Sequence, residues 1–193
     1  MTAQQPSLAP RPALVPSGTL AMALFIATEV MFFAGLVSAF LVLRAEALVW
    51  PPTGQPRLPV GLTGLNTAVL LASGWTLQRS LVALRAGGGP GRWLEITAVL
   101  GVLFLVIQGS EWARLVGFGL TTTSSLYGSI FYTLVGAHAL HVLAALVALL
   151  VVTARARRGR YPADAPGGLE LCRMYWLFVV AVWPVLYVLV YLS

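Results

Sequence analysis

Glu29 stands in the middle of the apolar run Leu20–Leu43, where a membrane-crossing helix tolerates almost no charge. A charged side chain at the centre of a bilayer costs on the order of 2.5–3.5 kcal/mol on insertion scales, so this carboxyl is expected to be paired, neutral or facing protein. The candidate partners are His138 and His141, the two histidines of the chain, which are three apart and so share a helix face. A buried acid beside an imidazole supports two kinds of chemistry. It can be a hydrogen bond that pins two helices, or a place where a proton is held and passed on. Glu111 has Arg114 at i+3 and reads as a local ion pair; Gln108, one turn earlier, reads as an interhelical hydrogen bonder. Two histidines on one helix cannot supply opposite axial ligands to a haem. Copper or zinc would need further ligands, and none cluster beside them, so no metal is expected on this chain. Cys172 is the single cysteine, which excludes an internal disulfide and points to packing. There is no phosphate-cradling glycine loop opening a helix, and no nucleophile with an adjacent base.

These residues need elements to carry them, and composition says which. The 193 residues are 59% hydrophobic and 9% charged, far from the roughly 25% charged residues of a soluble domain. The fold class expected is all-α, a polytopic membrane protein of five transmembrane helices at about 18–43, 60–84, 93–114, 125–153 and 174–192, each near the length that crosses about 30 Å. Pro51, Pro52, Gly54, Pro56 and Pro59 separate the first two. Gly87 to Gly91 with Pro90 precede the third, Gly117 to Ser124 separate the third and fourth, and Pro162, Pro166, Gly167 and Gly168 precede the fifth. The linkers are short, so neighbouring helices should be antiparallel. Residues 1–17, rich in proline and polar residues, read as a disordered tail ahead of one membrane domain over 18–193.

The net charge of +6 comes from arginines that gather at helix ends rather than along a face, which argues for topology and against nucleic acid. Arg11, Arg79, Arg85, Arg92, Arg155, Arg157, Arg158, Arg160 and Arg173 fall on one side, and Arg44, Arg57 and Arg114 on the other. The N-terminus is therefore expected in the cytoplasm and the C-terminus outside. Counting inward from that side at about 1.5 Å per residue places Glu29, His138 and His141 near one level, close to the midplane. Phe25, Phe32 and Phe33 flank Glu29 at helical spacing. Trp50, Trp93 and Trp112 fall at helix ends and fit an interfacial belt, whereas Trp176 and Trp183 lie within the fifth span. Small residues along the fourth helix, among them Gly136, Ala139, Ala144 and Ala148, permit close helix approach. No internal repeat supports an inverted-repeat transporter.

Five ordered segments carry a family resemblance. They are ATEVMFFAGLVSAFLVLR from Ala27, LNTAVLLASGWT from Leu65 with Asn66, the set Gln108, Glu111 and Trp112, YGSIFYTLVGAHALHV from Tyr127, and MYWLFVVAVWPVLYVLVY from Met174. Together they resemble subunit III of the haem-copper cytochrome c oxidases, in its short five-helix bacterial form. Leu177 and Val180 stand where many members carry a histidine and an acidic residue. The resemblance implies a non-catalytic subunit in the bacterial inner membrane, packed beside subunit I and associated with subunit II. Haem and copper would sit in those partner subunits. The chain would support proton uptake and stability during aerobic electron transport, with Glu29 as the family's carbodiimide-reactive carboxylate and His138 and His141 as its polar neighbours. In longer members a cleft beside two extra N-terminal helices holds phospholipid. Here a subunit IV or added helices on subunit I would fill that space. Two other readings stand beside it. A subunit III relative could serve a quinol oxidase or nitric oxide reductase, where several relatives carry an aspartate in place of the glutamate of Thr28-Glu29-Val30. A free-standing proton or ion carrier would need a hydrated path that the few polar residues hardly line.

Overall fold

The computed structural model describes residues 16–54, 58–159 and 167–192. The reading of residues 1–15 as a tail, and the placements of Arg11, Pro56, Arg57, Arg160, Pro162 and Pro166, lie outside them. Every regular element among the described residues is a helix: α1 (Ser17–Glu46), α2 (Val60–Arg85), α3 (Gly91–Gly117), α4 (Leu126–Arg157) and α5 (Gly167–Leu186), the last continued by a π-turn over Tyr187–Tyr191. All five spans are long and apolar enough to cross a membrane. The chain is thus a multi-pass membrane protein.

Helices α2, α3, α4 and α5 close into a ring in which each packs on the next and α5 returns to α2; α1 lies outside it, in the groove between α4 and α5. α2 and α5 run antiparallel, because Val60, Thr67, Ser73 and Gln78 meet Tyr187, Trp183, Trp176 and Arg173 in that order. α1 runs parallel to α5, with Gly18 beside Leu171 and Phe33 beside Phe178. An odd helix added to an antiparallel ring permits this.

α1 meets the ring along one narrow stripe, Met22, Ile26, Glu29, Phe33, Leu36, Val37, Phe40 and Leu43, spaced by threes and fours, which is one face of a 3.6-residue helix. Most of the rest of α1, including Leu24, Met31 and Val42, is exposed, as expected where the surrounding solvent is lipid. α2 is the reverse. Its inward stripe carries Thr63, Asn66, Thr67, Ser73, Thr76 and Ser80, all buried, because a membrane bundle gains from hydrogen bonds and close approach rather than from burying apolar surface. Trp176 and Trp183 donate their indole N–H groups to Ser73 Oγ (3.1 Å) and Thr67 Oγ1 (2.9 Å). Gly101 gives Trp176 its space: a Cβ there would lie 2.6 Å from the indole ring.

α3 ends at Gly117 and turns through Gly119, whose φ of +87° suits a glycine. Leu120 N–H reaches Leu115 O and Gly119 N–H reaches Val116 O, both at 3.0 Å, the bonds of a Schellman stop. Ser125 then caps α4 by accepting from Gly128 N–H at 3.0 Å. The fifth helix departs from its sequence expectation: it begins at Gly167, seven residues before 174. Leu169 and Cys172 are buried, and the charges that interrupt the apolar run are used. Glu170, in the first turn where the helix dipole favours an acid, pairs with Arg85 (3.4 Å) and Arg173 (3.7 Å).

Candidate functional site

Two polar seams cross the bundle. The first joins α1 to α4. Glu29 Oε2 lies 2.8 Å from His141 Nε2, and both side chains are 17% exposed. His141 Nδ1 sits 2.6 Å from the Ala137 carbonyl. A carbonyl can only accept, so Nδ1 carries its hydrogen and Nε2 is left to face the carboxyl. One proton then lies between Glu29 and His141, on either atom, and the pair has no net charge in either arrangement. That removes the cost of a lone charge at this depth. Phe32 stacks on the His141 ring (5.9 Å) and Phe33 meets it edge-on (5.1 Å), so aromatic rings screen the pair.

His138 does not join it. One turn earlier on α4, it is 1% exposed, stacks on Trp183 at 4.9 Å and meets Phe33 and Phe104 edge-on. Among the described residues neither of its ring nitrogens has a hydrogen-bond partner. Of the two histidines in reach of one acid by depth, the structure joins His141 to Glu29 and encloses His138 in aromatic rings.

The second seam lies towards the opposite end of the bundle, between α2, α3 and the π-turn. Glu111 is 2% exposed, and its Oε2 lies 2.9 Å from the Thr63 hydroxyl and accepts from Gln108 Nε2 (3.4 Å). The local ion pair with Arg114 is not formed among the described residues: Glu111 turns inward onto α2, while Arg114 is exposed at the helix end. Gln108 Nε2 also donates to Tyr191 Oη (3.1 Å), and Asn66 Nδ2 donates to the Phe104 carbonyl (3.1 Å) and to Gln108 Oε1 (3.5 Å). Gln108 is thus an interhelical hydrogen bonder, and Asn66 and Glu111 join it.

Thr63 and Tyr191 are not among the residues the sequence reading picks out. Thr63 carries a signal, since it opens the period of Thr63, Asn66, Thr67, Ser73, Thr76 and Ser80 along α2. Tyr191 carries none. Pro184 supplies no N–H within α5, and the π-turn that follows it changes the register that sets which residues face inward. No group of three or more His, Cys, Asp or Glu side chains stands close enough to hold a metal among the described residues.

Comparison with known proteins places the bundle. The family model described as cytochrome c oxidase subunit III matches residues 12–193. A cytochrome c oxidase subunit 3 of Synechocystis sp. is 40% identical over 172 residues, covering 88% of this chain and 72% of the relative. Probable cytochrome c oxidase subunits 3 of Mycobacterium leprae and Nocardia farcinica are 36% and 38% identical over 185 residues, each covering 94% of this chain and 89% of the relative. With five membrane-length helices and a match along nearly its whole length, the chain belongs to the cytochrome c oxidase subunit III family.

Proposed function

We propose that this subunit packs beside subunits I and II of a haem-copper oxidase in a bacterial cytoplasmic membrane, with its N-terminus on the cytoplasmic side. Its Glu29–His141 pair holds one shared proton in support of proton uptake by those partners. The observation that carries this reading is the 2.8 Å contact between the two side chains across the α1–α4 groove. A carboxyl bonded to an imidazole whose other nitrogen is fixed to a carbonyl can hold a proton without unbalancing the charge of the membrane interior. The partner subunits carry haem and copper in this reading. The donor chemistry here does not fit a metal: His141 has protein partners on both ring nitrogens, and His138 is walled by Trp183, Phe104 and Phe33.

The exposed face of α1 is left to lipid or to a subunit IV. Phospholipid chains have a second apolar surface in a groove of about 340 Å³ between α3 and α4, lined by Leu105, Gly109, Gly136 and Leu140. Glu29→Gln tests the proton role. In the purified oxidase it is expected to leave haem content and the stoichiometry of this subunit unchanged while shortening the time over which oxygen consumption is sustained. Loss of the subunit, with normal endurance in the complexes that retain it, would make the pair a helix fastener instead. Purification of the chain without any haem-bearing partner would overturn the placement itself.

A further inference from the structure

The polar cluster around Gln108 is used by nothing in the reading above, and its hydrogens do not balance. Gln108 gives both amide hydrogens, to Tyr191 Oη and Glu111 Oε2, and its carbonyl accepts from Asn66. Asn66 gives its remaining amide hydrogen to the Phe104 carbonyl. That leaves Asn66 Oδ1 and Glu111 Oε1 without a partner among the described residues, on residues 0% and 2% exposed. The Tyr191 hydroxyl accepts from Gln108, and its own hydrogen meets no acceptor among the described residues. Thr63 adds a fourth imbalance: its one hydroxyl hydrogen faces two acceptors at 2.9 Å, Pro59 O and Glu111 Oε2.

Two unmet acceptors and one unmet donor on a single hub match the valence of one water molecule, and buried waters typically make about three hydrogen bonds. We infer that this junction of α2, α3 and the π-turn is an internal water-binding site in which Glu111 is a neutral acid. The water accepts from Tyr191 Oη and donates to Asn66 Oδ1 and Glu111 Oε1. The acid proton sits on Glu111 Oε2 and is donated to Thr63 Oγ1, whose own hydrogen goes to Pro59 O. Every contact then has its own hydrogen, and no net charge is left inside the membrane. This is a second protonatable place, separate from Glu29 and His141 and towards the opposite end from the arginines.

Electron cryo-microscopy of the particle in which the chain purifies, at a resolution that shows ordered water, is the direct test. The expected result is one density peak within hydrogen-bond distance of Asn66 Oδ1, Glu111 Oε1 and Tyr191 Oη. Those atoms bonded to one another, or to a neighbouring subunit, would overturn the site. Infrared spectroscopy of the same particle reads the proton. Glu111→Gln should remove one carbonyl band of a protonated carboxyl, and Tyr191→Phe, which deletes only the hydroxyl, should shift that band. A spectrum from which Glu111→Gln removes nothing, or a band that Tyr191→Phe leaves unmoved, overturns the inference. Tyr191→Phe serves alone if Glu111→Gln does not assemble.

Discussion

At the scale of single residues, the two histidines of α4 separate two jobs that sequence leaves joined. His141 has both ring nitrogens engaged, one by Glu29 and one by the Ala137 carbonyl. His138 uses only its ring faces and edges, against Trp183, Phe33 and Phe104. Replacing each by phenylalanine should therefore give opposite results. His138→Phe keeps a flat ring on Trp183 and loses no hydrogen bond, so thermal stability of the purified protein in detergent should hardly change. His141→Phe strips Glu29 of its hydrogen-bond partner. Interhelical hydrogen bonds in membranes are worth about 0.6 kcal/mol on average and up to about 1.7 kcal/mol, and the Glu29 carboxyl is also left without its partner in an apolar setting. A loss of about 1–2 kcal/mol follows from those terms, read as a lowered midpoint in the same melt. Equal losses from the two substitutions would mean that the Glu29 contact contributes nothing beyond ring packing. Depth counting was enough to bring Glu29 and the α4 histidines to one level, since distance along a membrane helix is nearly distance through the bilayer. It could not choose between positions 138 and 141, because that choice depends on where α1 sits around α4.

At the scale of elements, the five helices were legible because apolar runs of membrane length have few alternatives. What was not legible was any feature fixed by a second helix. Sequence alone starts α5 seven residues late because Glu170 and Arg173 look like the end of an apolar run; their pairing with Arg85, Gln78 and each other is visible only once α2 is alongside. Sequence spacing offers Glu111 its i+3 neighbour Arg114, whereas Thr63 lies 48 residues away in sequence. The same dependence between elements yields a prediction for the α3–α5 contact. Trp176 rests on Gly101, where a Cβ would come within 2.6 Å of its ring, and donates to Ser73 on α2. Gly101→Leu should push Trp176 off both helices and cost about 1–3 kcal/mol, the range for overpacking a core. Gly35→Leu on α1, where nothing lies within 4 Å of a Cβ, is the control and should be neutral. Membrane-inserted protein per cell, followed by thermal stability in detergent, distinguishes the two. A neutral Gly101→Leu would mean that the ring around α5 is looser than its close contact with Gly101 indicates.

For the whole molecule, the arginines form one end of the bundle. Arg79, Arg85, Arg92, Arg155, Arg157, Arg158 and Arg173 lie where α2 and α4 finish and α3 and α5 begin, and only Arg44 and Arg114 of the described residues lie at the other end. Part of this charge is structural. Arg157 holds Glu95 at 2.9 Å, Arg85 and Arg173 hold Glu170, and Arg79 lies over the rings of Trp75 and Trp93 at 5.6 and 5.7 Å. These contacts tie α2 to α3, α3 to α4 and α2 to α5, so the basic end is also where the ring of helices is fastened. Arg92, Arg155 and Arg158 make no ion pair among the described residues and are free to face lipid phosphates. Short-loop arginines bias insertion whether or not they are paired in the finished fold, because orientation is set as the chain enters the membrane. The basic end should therefore be cytoplasmic, and with five spans the two termini should lie on opposite sides. Alkaline phosphatase, which is active only outside the cytoplasm, reads this when fused at two points. A fusion after Leu192 is expected to be active and one after Arg158 to stay at background. The reverse pattern would put the arginine-rich end outside and would overturn the cytoplasmic placement of the N-terminus. Activity at both points would mean that α5 does not cross, against its length and its antiparallel packing on α2.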